Sequence, residues 1–332
     1  MSYEVRVCSS AAELRVAVRP IWHYFGRSAP TDDQLERLGR ILPVDRAHGA
    51  WEDGRAIGGA AALPFVLTVP GGRLRAAGVS AVGVLPTHRR RGVLRALMRA
   101  QLDDCRQRGE PVAYLWATED TIYGRYGYGI ASVSGEIEIA RERTAYHDHV
   151  SSEGPSDARL VALEEAEALV APVYERVASA TPGMFARAPA WWQARVLDDP
   201  DWRRAGGGHL QCVVVNVGGG PAAYALYRVN VGTDRGVPTG AIDVLEAVGD
   251  SPEATRAVWR YLLDIDWTAR VKARLLPLDH PLFLLLAEPR RLRFSVRDGL
   301  WVRLVDVGAA LSARSYGARD SVVIEVVDEF CP

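Results

Sequence analysis

Alternating apolar and polar positions from Tyr3 to Cys8 predict a short strand, and apolar residues recurring at helical spacing follow over Ala11–Phe25 and again over Asp32–Leu42. Trp51–Ala60 carries a turn signal at Asp53-Gly54, and Phe65–Val69 leads through Pro70-Gly71-Gly72 into Arg73–Val79, so two hairpins are expected. A run of small apolar residues, Val79–Val84, then opens directly onto Pro86-Thr87-His88-Arg89-Arg90-Arg91-Gly92. The helix expected after it keeps Leu94, Leu97, Met98 and Leu102 on one face and places Arg106 and Arg108 ahead of a terminating Gly109. Val112–Trp116 reads as a further buried strand.

Around residues 141–158 the pattern turns polar and irregular, with Ser151-Ser152-Glu153-Gly154-Pro155-Ser156 as the linker. Beyond it come helical segments at Glu164–Ala178 and Ala190–Leu197, then strands at Gln211–Val217, Ala222–Val229 and Ala241–Val248. A helix at Pro252–Asp264 and a strand at Val271–Leu276 complete the series. This order repeats that of the first half, as a degenerate internal duplication would. Where the first copy has its arginine-rich loop, the second has Gly249-Asp250-Ser251-Pro252-Glu253, an acidic turn unsuited to a pyrophosphate. Phe294-Ser295-Val296, Leu300–Leu304 and Val322–Val326 read as strands of a new unit too short for a core of its own. The expected domains are 1–145, 146–289 and 290–332.

Composition changes this picture little. Forty basic and 41 acidic residues among 332 leave a net charge of -1, so no global field favours nucleic acid or an anionic membrane. The longest apolar runs, such as Leu282–Ala287, are too short to span a bilayer, and the start of the chain lacks a secretory pattern, which makes a cytoplasmic protein the expectation. Cys8, Cys105, Cys212 and Cys331 are too dispersed for a disulfide framework or a zinc site. His147 and His149 have no further ligand-forming cluster nearby, so no metal is expected.

Local charge is more informative. A strand, a turn, three arginines, a glycine and a helix together make an anion site: the helix N-terminus offers unpaired N–H groups, Gly92 lets backbone approach a phosphate, and the arginines add bidentate donors. Arginines at a helix start oppose its dipole, which disfavours reading them as a solvated face continued by Arg95 and Arg99. Neither a Walker lysine motif nor a G-x-G-x-x-G fingerprint accompanies the loop.

Arg89-x-x-Gly92-x-Leu94 resembles the pyrophosphate loop of GNAT acetyltransferases, departing from it at Leu94. The longer segments Val84–Gly92 and Ile122-Tyr123-Gly124-Arg125-Tyr126-Gly127-Tyr128-Gly129 resemble the signatures of the enhanced-intracellular-survival (Eis) acetyltransferases, as do Tyr224–Val229 and Asp298–Arg303. The resemblance implies an α+β protein of tandem GNAT folds, each a mixed sheet flanked by helices, followed by a partial sterol-carrier-protein-like C-terminal domain. It implies a homo-oligomer, a hexamer in the family, that moves acetyl from acetyl-CoA to amines of cationic small molecules such as aminoglycosides. By the same resemblance, backbone groups of Val82 and Val84 hold the pantetheine arm, those of Arg89, Arg90 and Gly92 hold the pyrophosphate, and Tyr123 is the general acid. The family's base is the C-terminal carboxylate at the end of a complete third domain; this chain stops at Phe330-Cys331-Pro332 and leaves the base unassigned.

The residues themselves leave more open. Amide formation requires an ammonium to lose a proton and a departing thiolate, whose free-thiol pKa is about 8.5, to gain one. Tyr123, Tyr126 and Tyr128 all follow the strand ending at Trp116, and packing under a glycine-rich turn accounts for the latter two. Glu119 and Asp120 are candidates for a base acting through water or for attracting a cationic substrate, and Asp32, Asp33 and Glu36 for an acidic entrance. The competing function is a non-catalytic sensor or lipid-binding protein on the same scaffold, which would have no need of a tyrosine acid.

Overall fold

A computed structural model of the chain describes residues 3–151, 157–204 and 206–331, so the expected linker lies outside the described residues from Ser152 onward. The chain divides into two compact units, each built on a seven-stranded sheet.

In the first unit, β1 (Glu4–Val7), β2 (Ala47–Glu52), β3 (Arg55–Val69) and β4 (Gly72–Val84) form an antiparallel series, and β5 (Val112–Trp116) runs parallel to β4. Helix α1 (Ala11–Tyr24) starts at Ser10, whose side chain accepts from the Glu13 amide, and α2 (Asp32–Ile41) starts in a capping box between Thr31 and Gln34. Two glycines let α1 lie against the sheet: a Cβ on Gly59 would fall 2.0 Å from the Ala17 carbonyl oxygen, and one on Gly83 2.7 Å from the Ile21 nitrogen. Helix α3 (Val93–Gln107) buries Met98, Leu102 and Cys105 in a core shared with Ala77, Ala113 and Leu115, and Leu97 in a second cluster with Ala50, Ile57 and Ala60. After β5 come one turn of helix, α4 (Asp120–Tyr123), and the short strand β6 (Gly129–Ile130).

The second unit begins with β7 (Val133–Ala140) and β8 (Ala158–Val161), followed by α5 (Leu163–Ala180) and the short α6 (Pro189–Trp191) and α7 (Asp201–Arg204). Strands β9 (Leu210–Val217) and β10 (Gly220–Asn230) come next, then the small hairpin β11 (Thr233–Asp234) and β12 (Val237–Pro238). Strand β13 (Ala241–Gly249), α8 (Pro252–Asp264), β14 (Arg270–Leu276), α9 (Leu282–Leu285) and β15 (Ser295–Asp298) complete it. The sheet order is β15-β7-β14-β13-β10-β9-β8, with β13 and β14 parallel and Trp259 and Leu262 of α8 fully buried in its core.

The last segment returns to the first sheet: β16 (Leu300–Leu304) pairs with β5 on one side and β6 on the other, and α10 (Val307–Ser312) follows. The first sheet therefore reads β1-β2-β3-β4-β5-β16-β6. Read from its β8 end, the second sheet matches this position for position, including the one parallel pair, so the expected duplication is visible in the topology.

Two expectations are corrected here. A boundary at 145 assigned β7 to the first domain, whereas it is an interior strand of the second sheet and the first unit's N-terminal stretch stops at Ala131. Residues 295–304, read as the first strands of a third domain, instead complete the two sheets already present, where each finds hydrogen-bonding partners and needs no new core. The strand expected at Val322–Val326 is not formed among the described residues: the run has no ladder partner, and Val323 is 97% exposed.

Candidate active site

Strands β4 and β5 are paired only from Ala76↔Val112 to Gly78↔Tyr114. Past that point β4 continues to Val84 beside β3, while β5 stays paired to Trp116 with β16 alone, so the ladder between the two parallel strands ends. A bulge sharpens the parting. Ala81, at φ 54°, and Val82 together oppose the single residue Ala60, and the extra residue bends β4 and releases backbone groups from the ladder. The opening leads into a cavity of about 610 Å³, whose walls include Val82, Gly83 and Val84.

One side of the cavity is the loop before α3. Gly92 caps that helix at φ 84° with no side-chain hydrogen bond, and the first turn holds no acidic residue. Arg90 is also left-handed, at φ 61°, so the backbone from 89 to 92 curls and its N–H groups are available to an anion. The three arginines separate by role. Arg91 Nη2 binds Glu52 Oε1 at 2.5 Å and His88 Nε2 lies 2.9 Å from Oε2, and these two groups hold the Glu52 carboxyl below the usual carboxylate range. Arg89 and Arg90 line the cavity and have no carboxylate partner among the described residues. Val82, Val84, Arg89, Arg90 and Gly92, singled out from sequence, thus lie in one wall.

Opposite them stand Ile122, Tyr123 and Tyr126. Tyr123, at the end of α4, is 7% exposed, and its hydroxyl has no hydrogen-bond partner among the described residues. Burial pushes its phenol up to about 12, with smaller contributions from the Tyr126 and Tyr24 phenols and the Glu119 carboxylate. It therefore stays protonated throughout the neutral range. Tyr126 also faces the cavity, which the packing explanation did not anticipate, and its ring meets Phe330 edge-on at 5.0 Å. Tyr128 fits that explanation: it is fully buried away from the cavity and packs edge-on against Tyr123 at 5.9 Å.

The acidic candidates divide as well. Glu119 lines the cavity and Asp120 does not. Asp32, Asp33 and Glu36 are engaged by Arg15, Arg37 and Arg40 and lie outside it. Sequence reasoning missed Ile21 and Tyr24, which reach the cavity from the end of α1. Their only signal is an exposed aromatic pair, Tyr24-Phe25, at a helix end.

In the second unit the equivalent loop is closed. Ser251 caps α8 by accepting from the Ala254 amide, and Asp250 is bound to Arg176 at 2.7 Å. His147 and His149 stack on each other at 5.3 Å, and no group of metal-ligating residues forms among the described residues. No described helix is long and apolar enough to cross a membrane.

Models of the GNAT acetyltransferase domain match residues 11–131 and 183–304. N-acetyltransferase Eis of Mycobacterium tuberculosis is 36% identical over 299 residues, which cover 87% of this chain and 71% of that protein. The chain belongs to the Eis family of GNAT acetyltransferases. As such it is an acyltransferase, and GNAT acetyltransferases use acetyl-CoA. An uncharacterized N-acetyltransferase of Streptomyces coelicolor is 43% identical over 317 residues, 93% of this chain and 75% of its own. Among solved structures, Eis1 from Mycobacterium abscessus superposes with a TM-score of 0.81 at 35% identity, covering 100% of this chain and 81% of its own.

Proposed function

We propose that the first unit transfers acetyl from acetyl-CoA to a primary amine of a cationic small molecule such as an aminoglycoside. The observation that carries this reading is the cavity where β4 and β5 part, lined by a helix start without a side-chain cap, by two arginines without a carboxylate partner among the described residues, and by a buried, protonated tyrosine. The residues fit the co-substrate. Amides from Arg89 to Gly92 and the Arg89 and Arg90 side chains suit the pyrophosphate, and the bulged backbone at Val82–Val84 suits the amides of the pantetheine arm.

In the reaction the neutral amine nitrogen, its ammonium proton already lost to solvent, attacks the acetyl carbonyl carbon, gives up one further proton, and the C–S bond breaks. Tyr123 passes its hydroxyl proton to the departing sulfur and is re-protonated, by way of solvent, by the proton the nitrogen gives up; its raised pKa keeps the proton in place until then. Much of the rate then comes from holding thioester and amine together in one cavity. A homo-oligomer and a cytoplasmic location belong to the same proposal, with four free cysteines in favour of the latter. So does a sterol-carrier-like domain after the second unit, for which the exposed strand-forming run Val322–Val327 is the supporting feature.

Release of free thiol from acetyl-CoA is the test, against aminoglycosides, polyamines and lysine peptides. Turnover with one or more amines is expected, and a flat response across the panel would favour a sensor. Light scattering reads the oligomeric state.

A further inference from the structure

Apart from its apolar and aromatic lining, the cavity is markedly basic: Arg89, Arg90, Arg95 and Arg125 face it, and His88 stands at its edge. Glu119 is the one carboxylate among the lining residues. Several acids elsewhere in this unit are engaged by cations, as Glu13 is by Arg6, Glu52 by Arg91, and Asp104 and Glu110 by Arg46. Glu119 has no cationic partner among the described residues. Its Oε1 accepts a hydrogen bond from the Tyr24 hydroxyl, across 95 residues of sequence, and Oε2 has no hydrogen-bond partner among the described residues. Tyr24 is fixed in turn, because the Arg89 guanidinium lies 5.3 Å above its ring and Phe25 packs edge-on at 5.2 Å.

We infer that Glu119 is the carboxylate that receives the cationic end of the acceptor amine, and that the Tyr24 hydroxyl positions it for this task. The inference rests on the acetyl-transfer reading of the same cavity. A polyamine or aminoglycoside approaching this basic wall meets repulsion everywhere except at Glu119, where a charge-assisted hydrogen bond is open. The neutral Tyr24 donor fixes the carboxylate without cancelling its charge, as an arginine partner would. Glu119 also lies near enough to the Tyr123 phenol to raise its pKa, so a cation held there is brought beside the group proposed as the acid.

Glu119→Gln keeps the shape and removes the charge. With a polyamine acceptor its KM should rise about tenfold or more, as losing a bond between charged groups implies, while the KM for a monoamine of similar length rises less. Acetyl-CoA affinity, read by calorimetry, should stay within about twofold of the parent, which also shows that the variant is folded. Tyr24→Phe should move the polyamine KM in the same direction by a smaller factor, and it decides the matter if Glu119→Gln does not fold. An unchanged polyamine KM overturns the inference, as does a loss of kcat with that KM intact, which would place Glu119 in the chemical step. If the parent protein acetylates no amine at all, the failure lies with the transfer reading itself.

Discussion

Arg91 is bound to Glu52 of β2, whereas its neighbours Arg89 and Arg90 turn into the cavity without a carboxylate partner. Three consecutive arginines thus divide, one closing the loop onto the sheet and two facing the cavity. Changing Arg89 and Arg90 together to alanine should weaken acetyl-CoA binding about tenfold or more, through loss of charge-assisted hydrogen bonds worth roughly 1.5 to 3 kcal/mol each. Calorimetry reads this directly, and unchanged affinity would return both arginines to the solvated surface.

Tyr123→Phe keeps the ring and its edge-on contact with Tyr128 but removes the proton donor. General acid catalysis contributes about a hundredfold to ten-thousandfold, so kcat should fall by that order with acetyl-CoA affinity nearly constant. Tyr126→Phe and Tyr128→Phe are the controls, Tyr126 being the stringent one because it shares the cavity wall. A larger loss in either control would move the acid to that residue.

The titration of Tyr123 has a definite sign. Its folded pKa, about 12, lies above the ordinary 10.0, so the folded state holds the proton more tightly than the unfolded chain does. The associated stability is fully present below pH 10.0 and is lost as the pH climbs through about 12. In ultraviolet titrations of the folded proteins, Tyr123→Phe should therefore lack one phenol ionising near 12 and none near 10.0 relative to the parent.

Titration of the whole chain with acetyl-CoA should give one site per chain. In the second unit Ser251 already occupies the helix start that Gly92 leaves open in the first, and Asp250 adds a negative charge where phosphate would bind. Two equivalent sites would contradict this.

Much of the site was legible because its signals are local. The apolar run to Val84, the arginines, Gly92 and the apolar face of α3 are contiguous, and helix and loop periodicities identify them without knowledge of the fold. The Glu119–Tyr24 bond spans two distant segments, and no periodicity marks it. The boundary at 145 failed for a related reason. Ile137 and Ile139 of β7 show a buried alternation that would suit either sheet, and nothing local in the sequence says which one the strand joins. The run at Val322–Val326 has the composition of a strand, yet composition supplies no partner, and without one its backbone forms no ladder.

Strand β16 lies between β5 and β6 in the first sheet, although it is made long after both. On the ribosome, the first sheet has an unfilled slot from the synthesis of Ile130 until Leu300–Leu304 emerges. At about 5–20 residues per second, that wait is roughly 10 to 30 seconds. During it the inner edge of β5 presents unpaired N–H and C=O groups to any strand that arrives first. The nascent chain itself supplies a rival, since β7, with a similar apolar alternation, emerges directly after β6. Correct assembly of the first unit therefore depends on β7 being kept from the slot that belongs to β16.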